Sequence, residues 1–170
     1  MAAQQILQLG NEILRRKAQC VPVGMRGLRK LTDRMFATMD AASGVGLAAP
    51  QIGVSLRVIV VNTEDVRMAV VNPEIVKTSE ETILDEEGCL SHSTYYGLVN
   101  RYQSVVVKGR SLEGKEIRIR ANDLLARVFQ HEIDHLDGKL FLDHLEDPEQ
   151  LYRVEPDTEL DDPAEESRIS

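Results

Sequence analysis

The residues able to do chemistry gather in one stretch, Gln130-His131-Glu132-Ile133-Asp134-His135-Leu136-Asp137-Gly138. The motif H-E-x-x-H sets two histidines at i and i+4, which on an α-helix project from one face. So placed they grip one metal ion, and the glutamate between them reaches water bound to it. The competing reading is an ordinary buried helix whose histidines are satisfied by hydrogen bonds. A second stretch bears on that choice. In Glu86-Glu87-Gly88-Cys89-Leu90-Ser91, Cys89 is either a small buried hydrophobe or a third ligand. Two imidazoles and one thiolate leave an open position for water, as catalytic centres need. Thiolate ligation suits iron and zinc better than magnesium or calcium.

The histidines need a helix to carry them, and the sequence supplies one. Asn122 and Asp123 are N-cap types, and Gly138 stands where a left-handed residue ends a helix. Leu124, Val128, His131 and His135 share a face; Leu125, Phe129, Ile133 and Leu136 cover much of the rest. A helix apolar over so much of its girth is buried. Its polar side chains then need partners, and a metal is one.

Upstream, a short helix is expected over Asn11 to Lys17, a loop at Val21-Pro22-Val23-Gly24, and a helix over Leu28 to Asp40. Leu28, Leu31, Met35, Phe36 and Met39 form the packing stripe of that second helix. Gly44-Val45-Gly46-Leu47-Ala48-Ala49-Pro50-Gln51 reads only as a tight loop. It lacks the third glycine of a dinucleotide fingerprint, and Gln51 is either a surface amide or a donor aimed into a site. Strands are expected at Leu56 to Val61, Met68 to Val71, Ile75 to Thr78, Thr82 to Leu84, Ser104 to Lys108 and Glu116 to Arg120. Asn72-Pro73 separates two of them, and a hairpin turn falls at Leu112 to Lys115. The expected architecture is α+β, a single domain of antiparallel β-sheets packed around a central α-helix that carries H-E-x-x-H.

Composition narrows the class. With 42% apolar and 28% charged residues, the 170-residue chain suits one globular core. No apolar run would span a bilayer and the N-terminus lacks the features of a signal peptide, so the expectation is cytoplasmic, with no membrane partner. Cys20 and Cys89 could pair, but that setting favours reduced thiols, and Cys20 has no assigned role. The formal charge of −8 argues against DNA as a partner. That charge sits at one end: nine acids against two arginines between Asp147 and Ser170 give that stretch −7. The chain divides accordingly into residues 1–146 and an acidic extension, 147–170. Pro148 suits the first turn of a short helix, and disorder is expected beyond Pro156.

Taken together, Gly44 to Gln51, Glu87 to Ser91 and Gln130 to Leu136 resemble the three motifs of the peptide deformylase family, G-x-G-L-A-A-P-Q, E-G-C-L-S and Q-H-E-x-D-H-L, in order and approximate spacing. The resemblance extends in length and element order from about Ile6 to Leu145. It implies a hydrolase that removes the N-formyl group from the initiator methionine of new polypeptides and releases formate. Cys89, His131 and His135 would bind one divalent metal, typically Fe²⁺, which nickel, cobalt or zinc replaces. Glu132 would be the general acid/base for attack by metal-bound water, while Gln51 and the Leu90 N–H would stabilise the oxyanion. Val45, Gly46, Gly88, Arg127 and Val128 would line the substrate cleft.

Two departures stand out. The family commonly follows E-G-C-L-S with a β-branched residue and proline; here His92-Ser93 follows, which bears on how a peptide is registered. His92 reads as a solvent-facing or hydrogen-bonded histidine rather than a ligand. Arg127 stands where the family usually has an apolar residue near the methionine pocket. Either its stem packs there while its head snorkels to water, or the side-chain preference changes. A zinc peptidase is the main rival, yet its third-histidine position is Phe141, and Glu155, the carboxylate at a feasible separation, opens the acidic tail. A deformylase-like binding module without turnover is the other. Any transient contact with the ribosome should not run through the acidic C-terminus, which RNA phosphate repels.

Overall fold

The computed structural model describes residues 2–154. Its centre is a five-stranded antiparallel sheet in the order β1 (Gly46–Ala48), β2 (Val58–Asn62), β3 (Arg67–Thr78), β6 (Ser104–Arg110), β7 (Glu116–Asn122). A smaller sheet pairs β4 (Thr82–Cys89) with β5 (His92–Tyr102), and β5 with β8 (Leu151–Arg153). Helix α1 (Leu28–Ala41) and helix α2 (Asp123–Leu136) cover opposite faces of the larger sheet.

Strand β2 shows why that sandwich forms. Side chains alternate across a strand, so a run buried on both faces reads as continuously apolar. Val58 and Val60 pack with Leu31, Met35 and Met39 of α1; Ile59 and Val61 pack with Val128, Phe129 and Ile133 of α2. The helix bearing H-E-x-x-H is thereby fixed against a two-sided core.

The termini of α2 differ in quality. Asn122 occupies the N-cap in an extended conformation, but its side chain caps nothing. At the other end Gly138 is left-handed (φ 72°), as expected, and a Cβ there would strike the Arg15 carbonyl. Ala18 N–H and the Arg57 guanidinium both donate to the Leu136 carbonyl, at 2.8 and 3.2 Å, so the last turn of α2 is tied to the N-terminal segment and to β2's approach.

Several expectations are corrected. Gly44 to Gln51 is not merely a loop: it forms β1 and a 3₁₀ turn, Ala49–Ile52. The two strands expected around Asn72-Pro73 are one, β3, with an irregular register at that point. A bulge accommodates the proline's missing N–H, and Asn72 (φ 51°) bonds both backbone groups of Val21. Strand β4 runs on through Asp85, Glu86 and Glu87, and β5 forms where the sequence carries no strand signal. Leu124 is 55% exposed rather than buried with its helix face. From the acidic extension, Pro148–Gln150 forms a 3₁₀ turn and Leu151–Arg153 joins the smaller sheet against Tyr95–Gly97. Glu155 and the tail beyond Pro156 lie outside the described residues.

Candidate active site

The two sheets and α2 meet at a cleft of about 370 Å³. Cys89, at the end of β4, comes from the smaller sheet; His131 and His135 come from α2. Cys89 Sγ lies 3.3 Å from His135 Nε2, which lies 3.1 Å from His131 Nε2. All three ligand atoms fall within 4.8 Å of one another, and all three residues are buried. Around one tetrahedral ion, nitrogen and sulfur ligands sit roughly 3.3–3.6 Å apart, so the spacing fits a single ion.

The tautomer of His131 follows from its neighbour. Glu87 Oε1 lies 2.6 Å from His131 Nδ1, and an ionised carboxylate only accepts, so Nδ1 carries the proton and Nε2 faces the ligand cluster. Burial pushes the Glu87 carboxyl up, but hydrogen bonds from His131 and Arg101 outweigh it and hold it well below the usual carboxylate range. Arg101 grips both Glu87 oxygens at 2.6 and 3.1 Å and bonds Asp134 at 2.6 Å. His144 is 2.7 Å from the same Asp134 oxygen.

Glu132 shows the opposite balance. Burial pushes its carboxyl up to about 7, against the pull of His131. Its Oε2 is buried without a hydrogen-bond partner among the described residues. Both facts suit a group that exchanges a proton with something entering the cleft. Gly46 makes the room, because a Cβ at that position would overlap the Glu132 carboxylate.

Gln51 is a buried amide whose direction is fixed, not a surface one. Its Oε1 accepts from Ala48 N–H at 2.9 Å, leaving Nε2 toward Ser91 Oγ (3.1 Å) and Cys89 Sγ (3.7 Å). Leu90 lies in the turn between β4 and β5 and also lines the cleft, as do Val45, Gly88 and Val128. The structure thus brings the site residues expected from sequence together, all but the deeper-lying His135 lining one cleft.

Arg127 is there too, but it does not snorkel. Its guanidinium is turned inward to Glu87 Oε2 (3.1 Å) and to the carbonyls of Val99 (3.0 Å) and Ile83 (2.7 Å). A buried carboxylate and two strand carbonyls supply inside what water would supply outside. His92 stacks on Tyr95 with ring centroids 4.6 Å apart, beside the ligand cluster rather than in it. Both cysteines are free, and Cys20 is exposed. The residues missed from sequence are Arg101 and Asp134, together with the role of Glu87. Nothing in sequence spacing links Glu87 to Arg101; only the pairing of β4 with β5 does.

A helix-borne histidine pair, a strand-borne thiol and a buried carboxylate with a vacant oxygen define a metal-dependent hydrolase. The chain belongs to the polypeptide deformylase family, whose model matches residues 3–151. It is 43% identical to a peptide deformylase of Dehalococcoides mccartyi over 94% of this chain and 96% of that one. A relative from Heliobacterium modesticaldum is 50% identical over 86% and 96%. The crystal structure of peptide deformylase from Thermotoga maritima covers 86% of this chain and all of its own, with a TM-score of 0.83 at 37% identity.

The contact between Gly46 and Glu132 yields a test. Displacing a catalytic group by about 1 Å costs on the order of a hundredfold in rate. Gly46→Ala should therefore lose about that much turnover while keeping its full metal content by elemental analysis. Wild-type turnover in Gly46→Ala would show that the carboxylate's place does not matter.

Proposed function

We propose that the deformylase reaction of this chain, hydrolysis of the formyl group on the N-terminal methionine of nascent peptides, is carried by Glu132, Gln51 and Leu90 around a metal held by Cys89, His131 and His135. The single observation behind this reading is the Glu132 oxygen that lacks a partner among the described residues, beside three converging ligand atoms. Bound there, a divalent metal lowers the pKa of water and polarises a carbonyl oxygen.

The chain's own residues do the rest. Glu132 takes the proton of the attacking water and later gives one to the departing amine, so that the C–N bond breaks to formate and a free N-terminus. Negative charge gathers on the formyl oxygen as water adds. Gln51 Nε2 and the Leu90 N–H are the donors that meet it, and losing one such donor costs about 2.7–4 kcal/mol of barrier. Val45, Gly46, Gly88, Arg127 and Val128 line the groove that receives the peptide. The ion is Fe²⁺, replaceable by nickel, cobalt or zinc; a thiolate with two imidazoles suits all four.

Protein purified without oxygen should contain iron and release formate from formyl-Met-Ala-Ser. Glu132→Ala should keep that metal and lose nearly all turnover, because it removes the proton carrier and no ligand. Loss of metal in Glu132→Ala, or turnover near wild type, would overturn the assignment of roles.

Residues 1–146 act as the catalytic domain and 147–170 as an acidic extension, in a cytoplasmic enzyme with no DNA or membrane partner. Any transient contact with the ribosome runs elsewhere than through the C-terminus, since the extension carries −7 and ribosomal RNA repels it. Deleting residues 157–170 should leave formate release unchanged and strengthen co-sedimentation with ribosomes, most of all at low salt. Weaker co-sedimentation after the deletion would make the tail a docking element.

A further inference from the structure

The acidic extension does not stay clear of the cleft. Leu151-Tyr152-Arg153, which form β8, pair antiparallel with Tyr95 to Gly97 of β5, and Tyr152 falls directly opposite Tyr96. Side chains alternate along a strand, so β8 sends successive residues to opposite faces. Leu151 packs into the small core of Cys89, Val99 and Phe141. Tyr152 turns the other way and stacks on Tyr96, with ring centroids 6.4 Å apart and planes 23° from parallel. We infer that Tyr152 is a positioning residue for the cleft: by holding the Tyr96 ring, it sets how well the enzyme grips the peptide beyond its first residue.

Tyr96 needs holding. It lines the cleft and is 37% exposed, and an exposed tyrosine without support turns between rotamers. Here the ring is caught between two neighbours. A Cβ on Gly88 would come within 2.7 Å of Tyr96 Cε1, so the ring lies against the Gly88 backbone on one side and stacks with Tyr152 on another. The reacting amide sits by His131 and Glu132 on α2. The rest of the peptide leaves between the walls that α2 does not supply, Gly88 and Tyr96 on one hand and the loop Ala42 to Val45 on the other. Tyr96 therefore meets later residues of the peptide, away from the formyl group. The ring of Tyr152 makes the contact and its hydroxyl does not, since that oxygen is buried with no hydrogen-bond partner among the described residues.

This rests on the deformylase reading and is tested apart from it. Two substrates are compared: formyl-Met-Ala-Ser, and formyl-methioninamide, which ends at the reacting residue. A stacked aromatic pair is worth a factor of about two to twelve. In Tyr152→Ala the kcat/KM of the tripeptide relative to the amide should fall by about that factor, through KM, with kcat and metal content unchanged. Tyr152→Phe should keep the wild-type ratio. Tyr96→Ala should lower the ratio as well, and adding Tyr152→Ala to it should change nothing further, because the ring being held is gone. The product Met-Ala-Ser, measured by calorimetry, should bind Tyr152→Ala more weakly by the same factor. Should the alanine variant not fold, Tyr152→Leu keeps apolar bulk on β8 and removes the ring.

A folded Tyr152→Ala or Tyr152→Leu with the wild-type ratio overturns the inference. So does a loss that falls equally on both substrates, or one that persists in the Tyr96→Ala background, since either would make β8 a brace for the fold and not a support for Tyr96. A Tyr152→Phe ratio that falls with Tyr152→Ala would assign the effect to the hydroxyl and overturn the ring contact. An enzyme that turns over neither substrate fails the deformylase reading itself, an outcome distinct from all of these.

Discussion

One buried carboxylate, Glu87, holds the site together. It is 5% exposed, so its charge must be matched inside the protein. It is matched from three directions: His131 and Arg127 on α2, and Arg101 on β5. Each partner has a further task. His131 presents its other nitrogen to the candidate ligand cluster, Arg127 walls the cleft, and Arg101 passes the network on to Asp134, next to the candidate ligand His135. Removing any one member of such a network leaves a buried charge short of a partner, which is strongly destabilising.

The larger sheet supplies the rigidity that this network needs. Burying β2 on both faces locks α2 against one side and α1 against the other. Strand β1 then runs along α2 closely enough that only glycine fits at position 46, which sets the height of Glu132 in the cleft. The smaller sheet brings Cys89 in from across. Two independently built units therefore meet at the ligands, with Glu87 and Arg101 as the bolts between them. The resulting cleft joins a patch of polar machinery to a mostly apolar groove, suited to a peptide end whose amide reacts while its side chain packs.

Legibility in the sequence followed the type of signal. Helix α2 and its histidine pair were plain because histidine spacing and apolar periodicity agree there. Strands β2, β6 and β7 were plain because their apolar or alternating runs are local signals. Strand β5 was invisible: its inward positions are Gly97, Val99 and Arg101, so no apolar alternation survives. An arginine faces inward there only because acids from β4 and α2 await it, and sequence order does not show that meeting. The same blindness cut β4 short at its carboxylates and left open whether the head of Arg127 turned to water. Charged residues carry no local mark of burial where, in the fold, they pair with one another. Asn72-Pro73 misled for a different reason, since a bulge satisfies a proline that would otherwise end a strand.

The central claim is that Glu87 orients His131 for the metal, and Zn²⁺ affinity of Glu87→Gln tests it most directly. Glutamine keeps the shape and removes the charge that fixes the Nδ1 proton. Partners of this kind behind a ligating histidine are typically worth about ten- to a hundredfold in metal affinity. Competition against a chromogenic chelator, on variant protein whose circular dichroism matches the wild type, should show a loss in that range. Zn²⁺ affinity equal to wild type in folded Glu87→Gln would contradict the account.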